Sequence, residues 1–209
     1  CDNDGLGDLY VAGGSSPAAL YRNRSAVGGA LQFDAVPSEV TDLESVTGAY
    51  PIDVDSDGVV DLVVLRNGAN VVLRGLGECR FEPATERLGI DGGDDWTTAF
   101  SATWEGDNSL PTLAFGTYLE DDWTTCGDSS LVRPDGDTYG PPFALTPGYC
   151  TLSMLFSDWN RAGQRDLRLA NDRHYYTDGS EQLWAMPPGE DPYLYTDADG
   201  WQPMQVWGM

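Results

Sequence analysis

The chain repeats itself. Asp8-Leu9-Tyr10-Val11, Asp61-Leu62-Val63-Val64 and Asp166-Leu167-Arg168-Leu169 each follow a loop rich in Asp and Gly, at intervals of 53 and 105 residues. The second interval is close to twice the first, and Thr112-Leu113-Ala114-Phe115 stands midway through it, behind the degenerate loop Glu105-Gly106-Asp107-Asn108-Ser109. A unit of about fifty residues matches the four short strands of a propeller blade. Such units bury their faces against neighbours, so the repeat predicts an all-β fold: a β-propeller built from four-stranded antiparallel blades, with about four of them in this chain.

The second unit reads strand by strand. Ala49-Tyr50-Pro51-Ile52 enters the loop 53–61, and the unbroken apolar run Leu62-Val63-Val64-Leu65 leaves it, as expected of a strand buried on both faces. Asn67-Gly68 is a tight-turn signal leading into Asn70-Val71-Val72-Leu73-Arg74, and a Gly-containing turn leads to Cys79-Arg80-Phe81-Glu82. The first unit matches from its loop onward, through Ala19-Leu20-Tyr21-Arg22 and Leu31-Gln32-Phe33, without an opening strand. Met204-Gln205-Val206-Trp207 reads as an opening strand whose loop does not follow. The expected organisation is one propeller segment over 1–209, with blades at 1–40, 47–86, 96–150 and 151–195 and the start of another at 200–209. Within the third blade, 120–150 is rich in Gly, Pro and Asp and is read as an inserted surface loop. The segment is expected to come from a longer array, whose remaining blades would be its first partners.

Composition narrows the function. Eleven basic residues against 34 acidic ones give a net charge of −23, which repels nucleic acid and anionic membrane surfaces. A hydrophobic content of 41% is too high for a disordered acidic tail. The acid is 25 Asp against 9 Glu, and every basic residue is Arg. Asp favours turns and chelation where Glu favours helix. No apolar run approaches the roughly eighteen residues of a membrane span, so membrane insertion is not expected. Cys1, Cys79, Cys126 and Cys150 form no Cys-x-x-Cys pair, which disfavours a zinc knot and suits two disulfides in an oxidising compartment. Of three possible pairings we favour Cys1–Cys79 and Cys126–Cys150; four free thiols are the alternative.

The loops carry the chemistry. Asp53-x-Asp55-x-Asp57-Gly58-x-x-Asp61 concentrates four carboxylates within nine residues, around a Gly where the chain must turn sharply. Ca²⁺ is the hard cation that takes six or more oxygens from such a loop, with the carbonyl of Val59 as a further ligand. An EF-hand would place Glu at position twelve, at the start of a helix, whereas position twelve here is Val64 in an apolar strand. A strand–loop–strand calcium site is therefore expected. The first loop offers Asp2, Asp4, the Leu6 carbonyl and Asp8, lacks its first ligand and should bind more weakly. The fourth offers Asp158, Asn160 and Asp166, with Arg161 and Arg165 as partial substitutes for an ion. Asp197-x-Asp199-Gly200 reads as an ordinary turn.

These loops, followed by Leu20-Tyr21-Arg22-Asn23 and Leu31-Gln32-Phe33, resemble the FG-GAP/VCBS repeats of integrin-α-type propellers, and more narrowly the cartilage acidic protein (ASPIC/UnbV) group. The stretches Ser157–Asn160, Asn171–Tyr176 and Glu181–Trp184 are similar to bacterial secreted members of that group. The resemblance implies an extracellular or bacterial cell-surface propeller, usually of about seven blades, stabilised by calcium and used in adhesion or ligand binding.

Catalysis has little support. No Gly-x-Ser-x-Gly elbow is present, and His174, beside Asp172 and Arg173, is the one histidine and is read as a packed residue. Calcium propellers with similar loops occur among polysaccharide lyases, but the chain has no lysine to serve as a base. The aromatics Trp96, Trp104, Tyr118, Trp123, Tyr175, Tyr176, Trp184 and Trp201 are read mainly as packing between blades; a carbohydrate platform or protein-binding face is the second reading. The expected function is thus a non-catalytic calcium-binding module for structural, adhesion or ligand-binding roles. Its partner is an unidentified protein or glycan, and a lyase or lectin-like propeller is the alternative.

Overall fold

Near-continuous burial along the central strands sets the architecture. A computed structural model describes residues 1–13, 16–172 and 179–199. Three strands, β1 (Leu9–Val11), β2 (Ala19–Asn23) and β3 (Phe33–Ala35), form the first sheet. The second is β4 (Val46–Ile52), β5 (Asp61–Arg66), β6 (Val71–Gly75) and β7 (Phe81–Pro83), followed by the single helical turn α1 (Thr85–Leu88). The third takes β8 (Trp96–Thr103), β9 (Thr112–Leu119) and β10 (Ser129–Val132). A hairpin of β11 (Pro134–Asp135) and β12 (Thr138–Tyr139) then intervenes before β13 (Phe143–Leu145) returns to pair with β10. The fourth is β14 (Thr151–Ser157), β15 (Asp166–Asn171), β16 (Gln182–Ala185) and β17 (Tyr193–Leu194). All pairings are antiparallel, and within the described residues the four sheets do not close into a ring.

The second strands of the two middle sheets, β5 and β9, are sandwiched. In β5, Val63 and Leu65 pack with Leu113 and Phe115 of β9, whereas Leu62 and Val64 turn the other way, onto Ala18 beside β2. In β9, Ala114 faces the fourth sheet with Leu131, Met154 and Leu167. This two-faced burial explains the unbroken apolar runs, because a period of two puts successive side chains into different interfaces. The first strands of the last three sheets each carry a bulge, and two of the bulges link neighbours. The Thr47 hydroxyl donates to the Thr97 carbonyl of the third sheet, and Thr98 donates to the Thr151 carbonyl of the fourth.

Segment 120–150 differs from its expected role as a surface loop. It supplies β10 and β13, and Leu131, Val132 and Leu145 are fully buried. The Gly, Pro and Asp around these short strands masked their apolar pattern. Only the hairpin β11–β12 stands outside the four-stranded plan. Both favoured disulfides are formed: Cys126–Cys150 closes this segment, and Cys1–Cys79 ties the first loop to the turn between β6 and β7. No helix among the described residues is long and apolar enough to cross a membrane. The expected strand Met204–Trp207 lies outside the described residues.

Candidate metal centre

Three loops share one backbone. The position before the fifth residue is left-handed in each, at Asn3 (φ 60°), Ser56 (φ 57°) and Arg161 (φ 60°), and the sixth is a left-handed glycine, at Gly5 (φ 84°), Gly58 (φ 86°) and Gly163 (φ 85°). The first carboxylate caps the turn. Asp53 accepts from the Asp57 and Gly58 amides at 3.2 and 3.0 Å, and Asp158 accepts from Ala162 and Gly163 at 2.8 and 3.0 Å. The last carboxylate ties the loop to the third strand. Asp61 accepts from Gly75 N–H at 2.7 Å and from Val54 N–H at 2.8 Å; Asp8 takes Asn23 N–H at 2.8 Å; Asp166 takes Met186 N–H at 3.2 Å. Gly75 is needed for this closure, since a Cβ there would lie 2.2 Å from the Val60 carbonyl oxygen.

Convergence is greatest in the second loop. One oxygen each from Asp53, Asp55 and Asp61 lies within 4.8 Å of the other two. Asp57 stands outside this set, with its carboxylate on Val59 N–H at 2.8 Å and on Arg74. Arg74, at the end of β6, also donates to Asp55 Oδ2 at 2.8 Å, and Arg87 of α1 reaches the same oxygen at 3.1 Å. Burial works to raise the Asp55 pKa, but the hydrogen bonds from Arg87 and Arg74 outweigh it and hold the carboxyl below the ordinary Asp value. Asp61 is fully buried; burial pushes its pKa up against the two N–H bonds, and the charges of Asp55 and Asp57 add to the rise. Roofing the loop, Tyr139 of β12 donates to the Val54 carbonyl at 3.3 Å, its phenol pKa raised first by burial and then by Asp61 and Asp55.

The donor set fits a hard divalent cation. Asp55 Oδ1 is buried without a hydrogen bond of full geometry, although the Asp57 amide also helps to hold this carboxyl's pKa down; a cation facing the oxygen would compensate its charge. The two arginines compensate only the other oxygen of that carboxylate.

The other loops are built differently. In the first, Asp2 is paired with Arg22, Asp4 accepts from Leu6 N–H at 2.8 Å, and Asp8 accepts from Asn23 N–H. Cys1, Asp8 and Cys79 also converge, but the two sulfurs are bonded to each other and offer no thiolate. In the fourth, Asn160 accepts from Ala162 N–H at 3.0 Å, and Asp166 Oδ2 is taken by the Trp159 indole N–H at 2.7 Å and the Tyr195 hydroxyl at 3.1 Å. Arg165 donates to Thr103 at 3.2 Å and not to the loop's acids. At Asp61's place the third sheet has Thr112, whose buried hydroxyl has no partner. Residues 197–199 form a 3₁₀ turn in which Asp199 accepts from Thr196 N–H at 2.8 Å.

Arg74, Arg87 and Tyr139 contact the candidate loop and are positions that sequence reading missed. Aligning Leu20-Tyr21-Arg22 with Val72-Leu73-Arg74 contains the signal for the first; nothing local signals the other two. Among the aromatics, Trp184 is buried, Trp96 and Tyr118 stack edge to face at 5.1 Å, and Trp104 and Trp123 are exposed. His174, Tyr175, Tyr176 and Trp201 lie outside the described residues.

Residues 1–64 match the FG-GAP-like repeat family. That span holds both Asp-rich loops of the first two sheets and ends within β5. No curated protein matches the chain.

Proposed function

We propose that this chain is a calcium-stabilised segment of a secreted or bacterial cell-surface β-propeller, acting as a non-catalytic structural, adhesion or ligand-binding module. The carrying observation is the convergence of the Asp53, Asp55 and Asp61 carboxylates, with Asp55 Oδ1 buried among protein atoms, within a span matching FG-GAP-like repeats. Two disulfides and a strongly acidic surface are compatible with an extracellular setting. The repeat match supports the propeller-type reading; the seven-bladed parent, the likeness to the cartilage acidic protein group and the adhesive role are part of the proposal.

Asp53, Asp55 and Asp61 would hold the ion, with Asp57 and the Val59 carbonyl as further oxygen donors. Ca²⁺ would supply positive charge to neutralise carboxylates that otherwise repel at short range. Asp53 fixes the turn through two amides, and Asp61 fixes the loop's exit to β6. Loop order and sheet order are thereby coupled, so metal binding would stabilise the fold. Isothermal titration of the chelator-stripped chain tests the proposal. Calcium should bind at one principal site that Asp55→Asn removes; an Asp55→Asn variant that binds as the parent does contradicts it.

A further inference from the structure

The fourth sheet departs from the others at one register position. In the second, Leu62 pairs with Leu73, and the next residue, Arg74, reaches back to Asp55 and Asp57. By the same register Arg22 follows Tyr21 and pairs with Asp2, and Arg133 follows Val132 and pairs with Glu105 at 3.1 Å. In the fourth sheet Leu167 pairs with Trp184, and the next residue is Ala185. Asn160, Ala162 and Asp166 stand where Asp55, Asp57 and Asp61 stand in the second. These three and Ala185 line a cavity of about 140 Å³, completed by Tyr193 and Tyr195. The space filled by an arginine elsewhere is open here, and its charged partners have become neutral.

Ala162 and Gln164 also border a larger cavity of about 510 Å³ in the cleft between the third and fourth sheets. Trp104, Glu105, Asp158 and Arg165 line it. That volume lies within the usual range for small-molecule sites. Of the aromatic side chains around the two cavities, Trp104 and Tyr195 have their polar edges already engaged, and Tyr193 packs on Tyr195 with ring centroids 5.7 Å apart. Trp104 donates its indole N–H to the Ser109 carbonyl at 3.1 Å, and Tyr195 donates to Asp166 at 3.1 Å while packing edge-on against Trp159 at 5.8 Å. Burial and Asp166 push the Tyr195 pKa up to about 12, so it remains a donor. Trp104 is nonetheless 45% exposed and Tyr193 51% exposed. Trp104 held by its edge and Tyr193 held by packing on Tyr195, each with surface left to solvent, are preorganised platforms.

From this combination we infer that the cavity in the cleft between the third and fourth sheets, together with the smaller one that adjoins it at Ala162 and Gln164, binds a neutral saccharide. Trp104 and Tyr193 would take the apolar C–H faces of sugar rings. Asn160, Gln164, Glu105 and Arg165 would exchange hydrogen bonds with hydroxyls, since each keeps donor or acceptor capacity beyond its internal bonds. The net charge of −23 disfavours acidic glycans. The inference rests on the cleft and not on the calcium reading, because the fourth loop's acids are satisfied by protein groups.

The test uses the whole chain on an array of neutral and acidic oligosaccharides, in calcium and in EGTA. Free glucose, galactose, mannose and N-acetylglucosamine are then titrated by tryptophan fluorescence. Neutral glycans should be retained in both buffers. Trp104→Ala should weaken binding about tenfold or more, and Ala185→Arg, which refills the smaller cavity, should do the same. Trp123→Ala is the control: this exposed ring follows the far end of β9, packs on Trp96 and should leave binding unchanged. Melting curves of each variant verify folding. No binding, binding of acidic glycans alone, or equal loss in Trp123→Ala overturns the inference. Glycan binding without calcium binding overturns the metal reading alone.

Discussion

Replacing Asp61 by Ala separates a structural role for the loop's last carboxylate from a purely metal-binding one. Both oxygens of Asp61 accept from backbone amides, Val54 at 2.8 Å and Gly75 at 2.7 Å, and the side chain is fully buried. Alanine leaves two buried N–H groups without partners, at about 1–3 kcal/mol each. Relief from burying a carboxylate whose pKa is already pushed up offsets part of this. A net loss of about 2–4 kcal/mol is expected, a sizeable share of the roughly 5–15 kcal/mol stability of a typical domain. Urea unfolding in EGTA, followed by tryptophan fluorescence, should show a midpoint lowered by about 1–2 M. Asp57→Ala, at an exposed position, serves as comparison. If Asp61→Ala in EGTA unfolds within about 0.5 kcal/mol of the parent, the tie between loop and third strand contributes nothing and the reasoning fails.

Arg74→Met removes the guanidinium shared by Asp55 and Asp57. It should destabilise the calcium-free protein more than the calcium-loaded one, as paired melts in EGTA and calcium would show, because an ion compensates the same carboxylates. Asp122 is held well below the ordinary Asp pKa, first by the Thr125 hydroxyl and then by the Thr125 and Thr124 amides. A depressed acid contributes stability that is present above its unfolded pKa and is lost as pH falls through its folded value. Thr125→Val should therefore raise the Asp122 pKa in a carboxyl-resolved NMR titration, and an unchanged pKa would exclude the hydroxyl as its main cause.

The fold was readable because its determinants are periodic. Leu62-Val63-Val64-Leu65 has only one use between two neighbouring sheets, and Asp–Gly loops recur ahead of three strands, β1, β5 and β15. The third repeat was harder: with Thr112 in place of the aspartate and its later strands flanked by Gly and Pro, β10 and β13 carried too little pattern. At the candidate site, the converging Asp53, Asp55 and Asp61 were legible from spacing. Two features were not. Asp61, Asp8 and Asp166 read from spacing as chelators alone; that each also accepts from a backbone amide of the strand that follows its own, or of the residue just past that strand, is a pairing that local spacing cannot reveal. The charge on Asp55 is shared with Arg74 and Arg87, which are 19 and 32 residues away along the chain and adjacent only after β6 and α1 have folded. Trp159 read as part of a motif; its indole bond to Asp166 depends on a loop conformation the letters do not specify.

Calcium-dependent melting bears most directly on the claim that the carboxylate loop couples a cation to the fold. The account predicts a midpoint that rises with calcium and returns with EGTA. For one site at a hundredfold excess over Kd, the gain is about 2.7 kcal/mol, or about 5–10 °C for a domain of this size. Asp55→Asn should abolish the rise. A parent midpoint identical in saturating calcium and in EGTA would contradict the account.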